Sequence, residues 1–526
     1  MKSIHRGHHF LLGGVNIFKP NKKRMSLSLR KTYWWGAGLT LALLVKVAGL
    51  TVGGWLSALG LFLMSLWVPS LAEVSGQARW SWRQRWQTWA LVVLTGVLWL
   101  PLGWGGYLAT LQASIQLPAS LQNGIFNSRY EWLPVVGPFW GIVWLWSFKW
   151  LPSLRRQLQR PTSYREYWLT GWHASWWAAT KQVLRVLPWV VVWLGIGALQ
   201  AGGVWLSELI QPSWGYLMAV LSFALLQLLA WWGVWQLWHR YWPRRSVTGT
   251  NRWVKLILVI AAVGYASWWL QPVSGPLPAV IAHRGVNGPD GVQNTTSALR
   301  QTVKQTQPNM VEMDIQPTDG RHWVVMHDPD LRHLADRPGP VQRYKLKQLD
   351  GITLSENGQR GQLSTFKQYL TVAEKLHQPL LVEVKALGDA AQLMGPFAAD
   401  YGQRLIQAHG AVHSLDYQVI ERLRQRQSQL RLGLITPFYL TNFSHSVADF
   451  YSLQALTATR EQVNAMHRDG HAVYFWTVDQ PLAMQRLSAM GADGLITNRP
   501  GKLRQLQAKP THYYFYQLIN WLVSWL

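Results

Sequence analysis

A multi-span α-helical membrane domain followed by an α/β barrel of the TIM type is the architecture that this 526-residue sequence predicts, on three observations. Apolar runs of about 20 residues, the length that crosses a bilayer as a helix, recur through residues 34–272. Composition then changes, because 31 of the 35 Trp lie before residue 272, whereas Glu73, Glu131, Glu166 and Glu208 are the only acidic residues before residue 279. From residue 279 onward, short β-rich runs alternate with amphipathic segments, the pattern of a parallel sheet wrapped by helices.

Residues 1–33 form a basic tail whose first 24 residues lack the apolar core of a signal peptide. The triplet His5-Arg6-Gly7 repeats residues 283–285 with no strand or acidic partner after it, and reads as chance; Met25 opens a more typical basic lead-in. About seven spans follow, at 34–51, 54–71, 88–111, 131–151, 186–207, 214–238 and 253–272. The first two are divided only by Gly53-Gly54, and Lys46 within the first reads as a snorkelling or cavity-facing lysine. Trp168, Trp172 and Trp176 recur every four residues between Arg165 and Lys181, as on one amphipathic helix, either lying among cytoplasmic headgroups or in a plain loop.

Short cytoplasmic loops are enriched in Lys and Arg. Blocks 19–31, 79–85, 155–185 and 240–252 are basic and face the cytoplasm on that rule, while 113–130 carries only Arg129 and 208–213 only Glu208. One span follows the last basic block, so everything after residue 272 lies outside the cytoplasm at the cell membrane. The chain's net charge of +26 divides into +21 before residue 279 and +5 after it. Because the basic residues fall in blocks between apolar runs and not on one face, the charge points to a bilayer partner and not to nucleic acid. The absence of cysteine excludes disulfides, thiolate metal sites and a Cys nucleophile.

Strands are expected at 279–285, 310–318, 322–328, 379–385, 411–415, 431–436, 472–478 and 494–497, with helices at 365–376, 417–427 and 460–469 among them, giving a barrel over 279–505. The second and third strands are joined only by the turn Thr318-Asp319-Gly320. Side chains alternate along a strand, so Glu312, Asp314 and Gln316 share one face of the second and Glu383 and Lys385 one face of the fourth. With Val311, Met313, Val382 and Val384 turned to the helices, the charged set points into the barrel. Buried charges need partners or a metal ion, and the C-terminal strand ends form the mouth of such barrels.

The pairs His283-Arg284, Glu312-x-Asp314, His327-Asp328 and Glu383-x-Lys385 then make a phosphodiesterase constellation. Glu312, Asp314 and Glu383 are hard oxygen ligands that favour Ca2+ or Mg2+ over zinc. Arg284 and Lys385 neutralise phosphate oxygens. One of His283 and His327 takes a proton from the nucleophile and the other gives one to the leaving alkoxide, in an order the sequence leaves open.

The stretch 281–500 resembles glycerophosphodiester phosphodiesterases through IAHRG, Gln293-Asn294-Thr295, VEMDIQPTDG, VVMHD, LLVEVK, FWTV and LITNRP. The resemblance implies His283 and His327 as acid and base and Glu312, Asp314 and Glu383 as ligands of the divalent ion. It adds Trp476 as a pocket wall near the glycerol and Asn294 as support for the first loop. The half before residue 279 looks like the membrane domain of some Gram-positive bacterial members. Gln293 stands where the family usually has Glu, which removes one negative charge near the metal, and Asn498 stands where Asp is common and reads as peripheral.

His409, His467 and His471 lack carboxylate partners at ligand spacing; His413, at a strand end, is kept as a pocket candidate. Residues 511–526 are aromatic and too short to span, a membrane-interface segment or a packing element. The implied activity is metal-dependent cleavage of a glycerophosphodiester, a lipid or a glycerol phosphate polymer. A transporter or lipid-binding scaffold with a non-catalytic barrel is the alternative.

Overall fold

The computed structural model describes residues 27–76, 79–99, 107–241, 252–272, 275–385, 390–509 and 512–524. The tail before residue 27, with His5-Arg6-Gly7 and Met25, lies outside these, as do residues 100–106 of the expected third span and most of the basic block 240–252.

Eight parallel strands close a barrel: β1 (Ala279–Ala282), β2 (Met310–Pro317), β3 (Leu380–Val384), β4 (Ala411–Ser414), β5 (Arg431–Thr436), β6 (Phe450–Gln454), β7 (Ala472–Trp476) and β8 (Gly494–Thr497). Closure is made by β8 pairing with β1 and β1 with β2. Ile281, Met310, Leu381, Ala411, Phe450, Tyr474 and Ile496 fill the interior. The opposite faces of the strands, including Val311, Met313, Val382 and Val384, pack against the surrounding helices. Helix starts follow local chemistry: Thr365 and Thr459 accept the amides of Gln368 and Gln462 in capping boxes that open Phe366–Lys375 and Arg460–Arg468.

Two strand expectations change. The run 322–328 is not a barrel strand; Trp323–Val325 pairs antiparallel with β2, Pro317 opposite Trp323. A parallel return needs a crossover of a dozen or more residues, and Thr318-Asp319-Gly320, with Gly320 at φ +92°, is a tight reversal. The eighth barrel strand is instead β6, FYSLQ, which placed polar Ser452 and Gln454 in too short a run to read as a strand. Between β2 and β3 the chain builds an outlying lobe with its own small core, Val324, Met326, Leu331, Leu334, Val341, Leu349 and Leu354, which holds His327 over the barrel mouth.

In the first half, helices Leu27–Thr51, Gly54–Gly76, Trp82–Leu98, Arg129–Ser147, Trp176–Ile210, Pro212–Tyr241 and Arg252–Trp269 overlap the seven expected segments, the third only as far as Leu98, with a separate helix Tyr107–Ser114 at its far end. Three helices among the described residues are long and apolar enough to cross a membrane, in Leu56–Glu73, Trp176–Ile210 and Pro212–Gln236. The expected single helix through Trp168, Trp172 and Trp176 is two: Tyr164–His173 ends at Ala174, and Ser175 caps the next by accepting the Ala178 amide. Tyr513–Ser524 packs as a helix into the bundle, its Trp521 and Leu518 buried beside Phe223 and Trp269 and its first amides bonded to Glu208.

The halves are joined by polar pairs. Gln116–Pro118 adds a parallel strand to Asn442–Ser444, Asn123 bonds Leu415 O and Tyr417 N, and Lys46 Nζ lies 3.1 Å from Glu461 Oε1 in a buried ion pair. Lys46 thus faces a small cavity, where it reaches a barrel carboxylate instead of the interface. Removing one partner of a buried pair typically costs about 3–5 kcal/mol. Lys46→Met is therefore expected to lower the unfolding midpoint of the detergent-solubilised protein, and Lys46→Met/Glu461→Met to recover most of the loss, as differential scanning fluorimetry would show.

Candidate active site

The C-terminal ends of the strands bring the predicted residues together. His283, Arg284 and Gly285 form a turn directly after β1, with Arg284 at φ +52°. Glu312 and Asp314 come from β2, Glu383 from β3 with Lys385 just beyond it, and Trp476 ends β7. Two contacts hold the β1 turn in its left-handed conformation: Glu312 Oε2 accepts the Arg284 amide at 2.8 Å, and Arg284 O accepts the Asn294 amide at 2.8 Å.

Charges interleave. Lys385 Nζ sits 2.8 Å from Glu383 Oε1 and 3.2 Å from Asp314 Oδ1, and Arg284 Nε 3.8 Å from Asp314 Oδ2. Asn294 clamps Asp314 twice, donating from Nδ2 to Oδ2 and accepting the Asp314 amide. Burial raises the Asp314 carboxyl, but Lys385 and the other cations outweigh it and hold Asp314 below the usual range. Glu312 is driven well above its ordinary value by burial and then by Asp314 and Glu383, and Glu383 is raised by burial.

The histidines have different settings. His283 Nδ1 lies 2.8 Å from Asn498 Oδ1, and Asn498 Nδ2 donates to Asp479 Oδ2 at 2.7 Å. Because a carboxylate only accepts, Asp479 fixes the amide with its oxygen toward His283; His283 therefore donates from Nδ1 and keeps its lone pair on Nε2, 4.0 Å from Glu312. Burial and then Arg284 lower His283 to about 4, so it is neutral near pH 7. His327 is more open and sets Nδ1 2.9 Å from Asp328 Oδ1, which leaves Nε2 for proton exchange. Gln316 supports that loop by donating to Met326 O and Asp328 O.

Asn498 is therefore not peripheral, although its motif neighbours gave no sign of Asp479. Asn498→Leu is expected to lower kcat about tenfold, the worth of roughly one hydrogen bond, with a smaller change in KM. Steady-state kinetics at saturating and limiting substrate separate the two. Gln293 is likewise more than a missing charge: it accepts from Arg284 at 2.6 Å and donates Nε2 to Glu356 Oε1 at 2.6 Å, so a carboxylate of the lobe stands behind the arginine. Trp476 donates Nε1 to Ser452 O and lies against the barrel interior.

His413 is fully drawn into the site. Its Nδ1 lies 3.0 Å from Ser452 Oγ, and its Nε2, buried without a hydrogen bond, is 4.0 Å from Glu312 Oε1. Burial lowers it to about 3, so it too is a neutral donor of a lone pair. Donor atoms of Glu312, Glu383 and His413 lie within 4.8 Å of one another, the metal-type grouping found among the described residues. The residues fit a divalent cation: two carboxylates raised by burial and by the neighbouring Asp314, and an orphaned imidazole nitrogen, are each relieved by one positive ion. Asp314, expected beside them, is committed to Lys385 and Asn294.

The model of the glycerophosphoryl diester phosphodiesterase family matches residues 283–502. The Bacillus subtilis (strain 168) protein YhdW, which carries a glycerophosphodiester phosphodiesterase name, is 25% identical over 231 residues, 42% of this chain and 94% of its own. A glycerophosphodiester phosphodiesterase of Caldanaerobacter subterraneus subsp. tengcongensis is 25% identical over 244 residues, 44% of this chain and 98% of that protein. An Oleispira antarctica phosphodiesterase, solved in complex with the product sn-glycerol-3-phosphate, is 19% identical with TM-score 0.39, over 44% of this chain and 98% of that one. The matched residues run from the end of β1 to the helix after β8, so the likeness to the glycerophosphoryl diester phosphodiesterase family covers the barrel and not the helical half.

Proposed function

We propose that the protein is a membrane-bound, metal-dependent glycerophosphodiester phosphodiesterase that releases glycerol phosphate and an alcohol. The observation that carries this reading is two histidines of unlike setting facing a buried carboxylate set that Arg284 and Lys385 flank. Arg284 and Lys385 bind the phosphate oxygens, Arg284 as a fork braced by Gln293 and Lys385 as a point charge. His283, neutral and fixed in tautomer by Asn498, takes on Nε2 the proton of the nucleophile, which is either water attacking directly or the glycerol hydroxyl, whose cyclic phosphate a water then opens to glycerol phosphate. His327 gives a proton to the leaving alkoxide. Trp476 walls the glycerol, and Asn294 holds Asp314 and the β1 turn. Glu312, Glu383 and His413 hold Ca2+ or Mg2+, with Asp314 adding an oxygen once phosphate draws Lys385 away. That ion, when bound, polarises the phosphate and acidifies a bound hydroxyl.

The substrate classes that suit this site are deacylated phospholipids, lysolipids, phosphatidylglycerol-type lipids and poly(glycerol phosphate). The basic loops between about seven spans support a multi-pass protein of the cell membrane with the barrel outside the cytoplasm. The test is product identity: full-length protein in detergent with glycerophosphocholine should yield glycerol phosphate and choline. Phosphocholine and glycerol would put the cleavage on the wrong side of the phosphorus.

A further inference from the structure

A cavity of about 750 Å³ lies at the C-terminal ends of β5 and β6, between the barrel and the helical half. On the barrel side it is lined by Ile435 and Phe438 at the end of β5 and Leu456 after β6; on the other by Phe126, Trp132 and Leu133. Ile435 pairs in register with Ser452, the residue whose hydroxyl contacts His413, so this wall is one strand from the site. Gln112, Gln122 and Asn123 on its lining are committed to Tyr439 O, Asn442 O and Leu415 O, while the buried hydroxyls of Thr436 and Tyr439 are the polar groups left without a hydrogen bond there.

The docking of the barrel sets the direction of its mouth. Helix Arg460–Arg468 begins at Glu461 on Lys46 and ends with Arg468 reaching Gly49 O, so it runs in the same sense as Leu27–Thr51. A barrel helix carries the chain from the C-terminal end of one strand to the start of the next, opposite to the strands. The strand C-termini therefore face back along the helical half. Helix Arg129–Ser147 leaves the cavity with Val135, Phe139, Ile142 and Leu145 exposed, an apolar track away from Leu133.

We propose that this cavity takes the hydrocarbon chain of an amphiphilic glycerophosphodiester, so that an acylated, lipid-type ester is the preferred substrate. The volume is that of a small-molecule site, its wall is mostly apolar, and Ile435 on it is paired with Ser452, the partner of His413. The inference rests on the phosphodiesterase reading and narrows it.

The test compares glycerophosphocholine with palmitoyl lysophosphatidylcholine, which differ only in the chain, on full-length protein at fixed detergent. The lysolipid should have the higher kcat/KM, by about tenfold or more given the worth of each buried methylene. Leu133→Asp and Phe438→Asp, at partly exposed positions, should lower the lysolipid-to-glycerophosphocholine ratio at least several-fold. A photoactivatable lysophosphatidylcholine on His283→Ala protein should label peptides containing residues 125–133 and 435–440. Cleavage of neither ester overturns the phosphodiesterase reading and the inference with it. Cleavage of glycerophosphocholine with no lysolipid preference, or a ratio unmoved by both substitutions with labelling elsewhere, overturns the cavity alone.

Discussion

Replacing His283 by alanine should lower kcat for glycerophosphocholine by about 10²–10⁴-fold, the range general acid–base catalysis contributes. The ring is buried, neutral and locked by the Asn498–Asp479 chain with Nε2 toward the carboxylates, so its loss removes a prepared base. KM should move much less, because the proposed phosphate ligands, Arg284 and Lys385, are left in place. His327→Ala should have a loss of similar size, and the double variant should fall far short of the product of the two, as groups serving one step do. Circular dichroism unchanged from the parent would separate lost chemistry from lost fold.

Glu312→Gln is expected to have the second large effect, read on metal binding as well as on rate. The carboxyl is buried and raised by burial and by two neighbouring carboxylates, so the neutral isostere loses no stabilising charge in the metal-free protein. It still offers an oxygen to the Arg284 amide. The unfolding midpoint without metal should therefore be equal to or above that of the parent. Saturating Mg2+ or Ca2+ should raise the parent's midpoint, by about 2.7 kcal/mol of stability at a hundredfold excess over Kd, and leave the variant's unmoved. A midpoint in the variant that still rises with metal would remove Glu312 from the ligand set.

Much of this site was legible because strand periodicity and short motifs coincide. Glu312 and Asp314, and Glu383 and Lys385, are spaced two apart, and that spacing alone turns them to one face. What the sequence hid were partners from distant segments. Ser452, against His413, lies on β6, whose inward polar residues disguised the strand. Asp479 and Asn498 are 19 residues apart, and nothing local marks the one as the anchor of the other. Lys46 and Glu461 are separated by 415 positions, so the pair that docks barrel on helices had no periodic signal. The reversal after β2 was written in Thr318-Asp319-Gly320, yet the β-rich run behind it resembled one more barrel strand. In the helical half, apolar length located the helices, but Ser175, a cap inside a Trp-rich stretch, decided where one ended and another began.

The central claim is that the carboxylate–histidine site of the barrel is a working, cation-dependent phosphodiesterase. The most direct test follows glycerophosphocholine by 31P NMR with the full-length protein and its His283→Ala variant, each in Mg2+, in Ca2+ and in chelator. The account predicts conversion to a phosphomonoester by the parent with metal, none in chelator, restoration on adding metal back, and at most traces from the variant. Equal rates in chelator and metal, or in parent and variant, would contradict it.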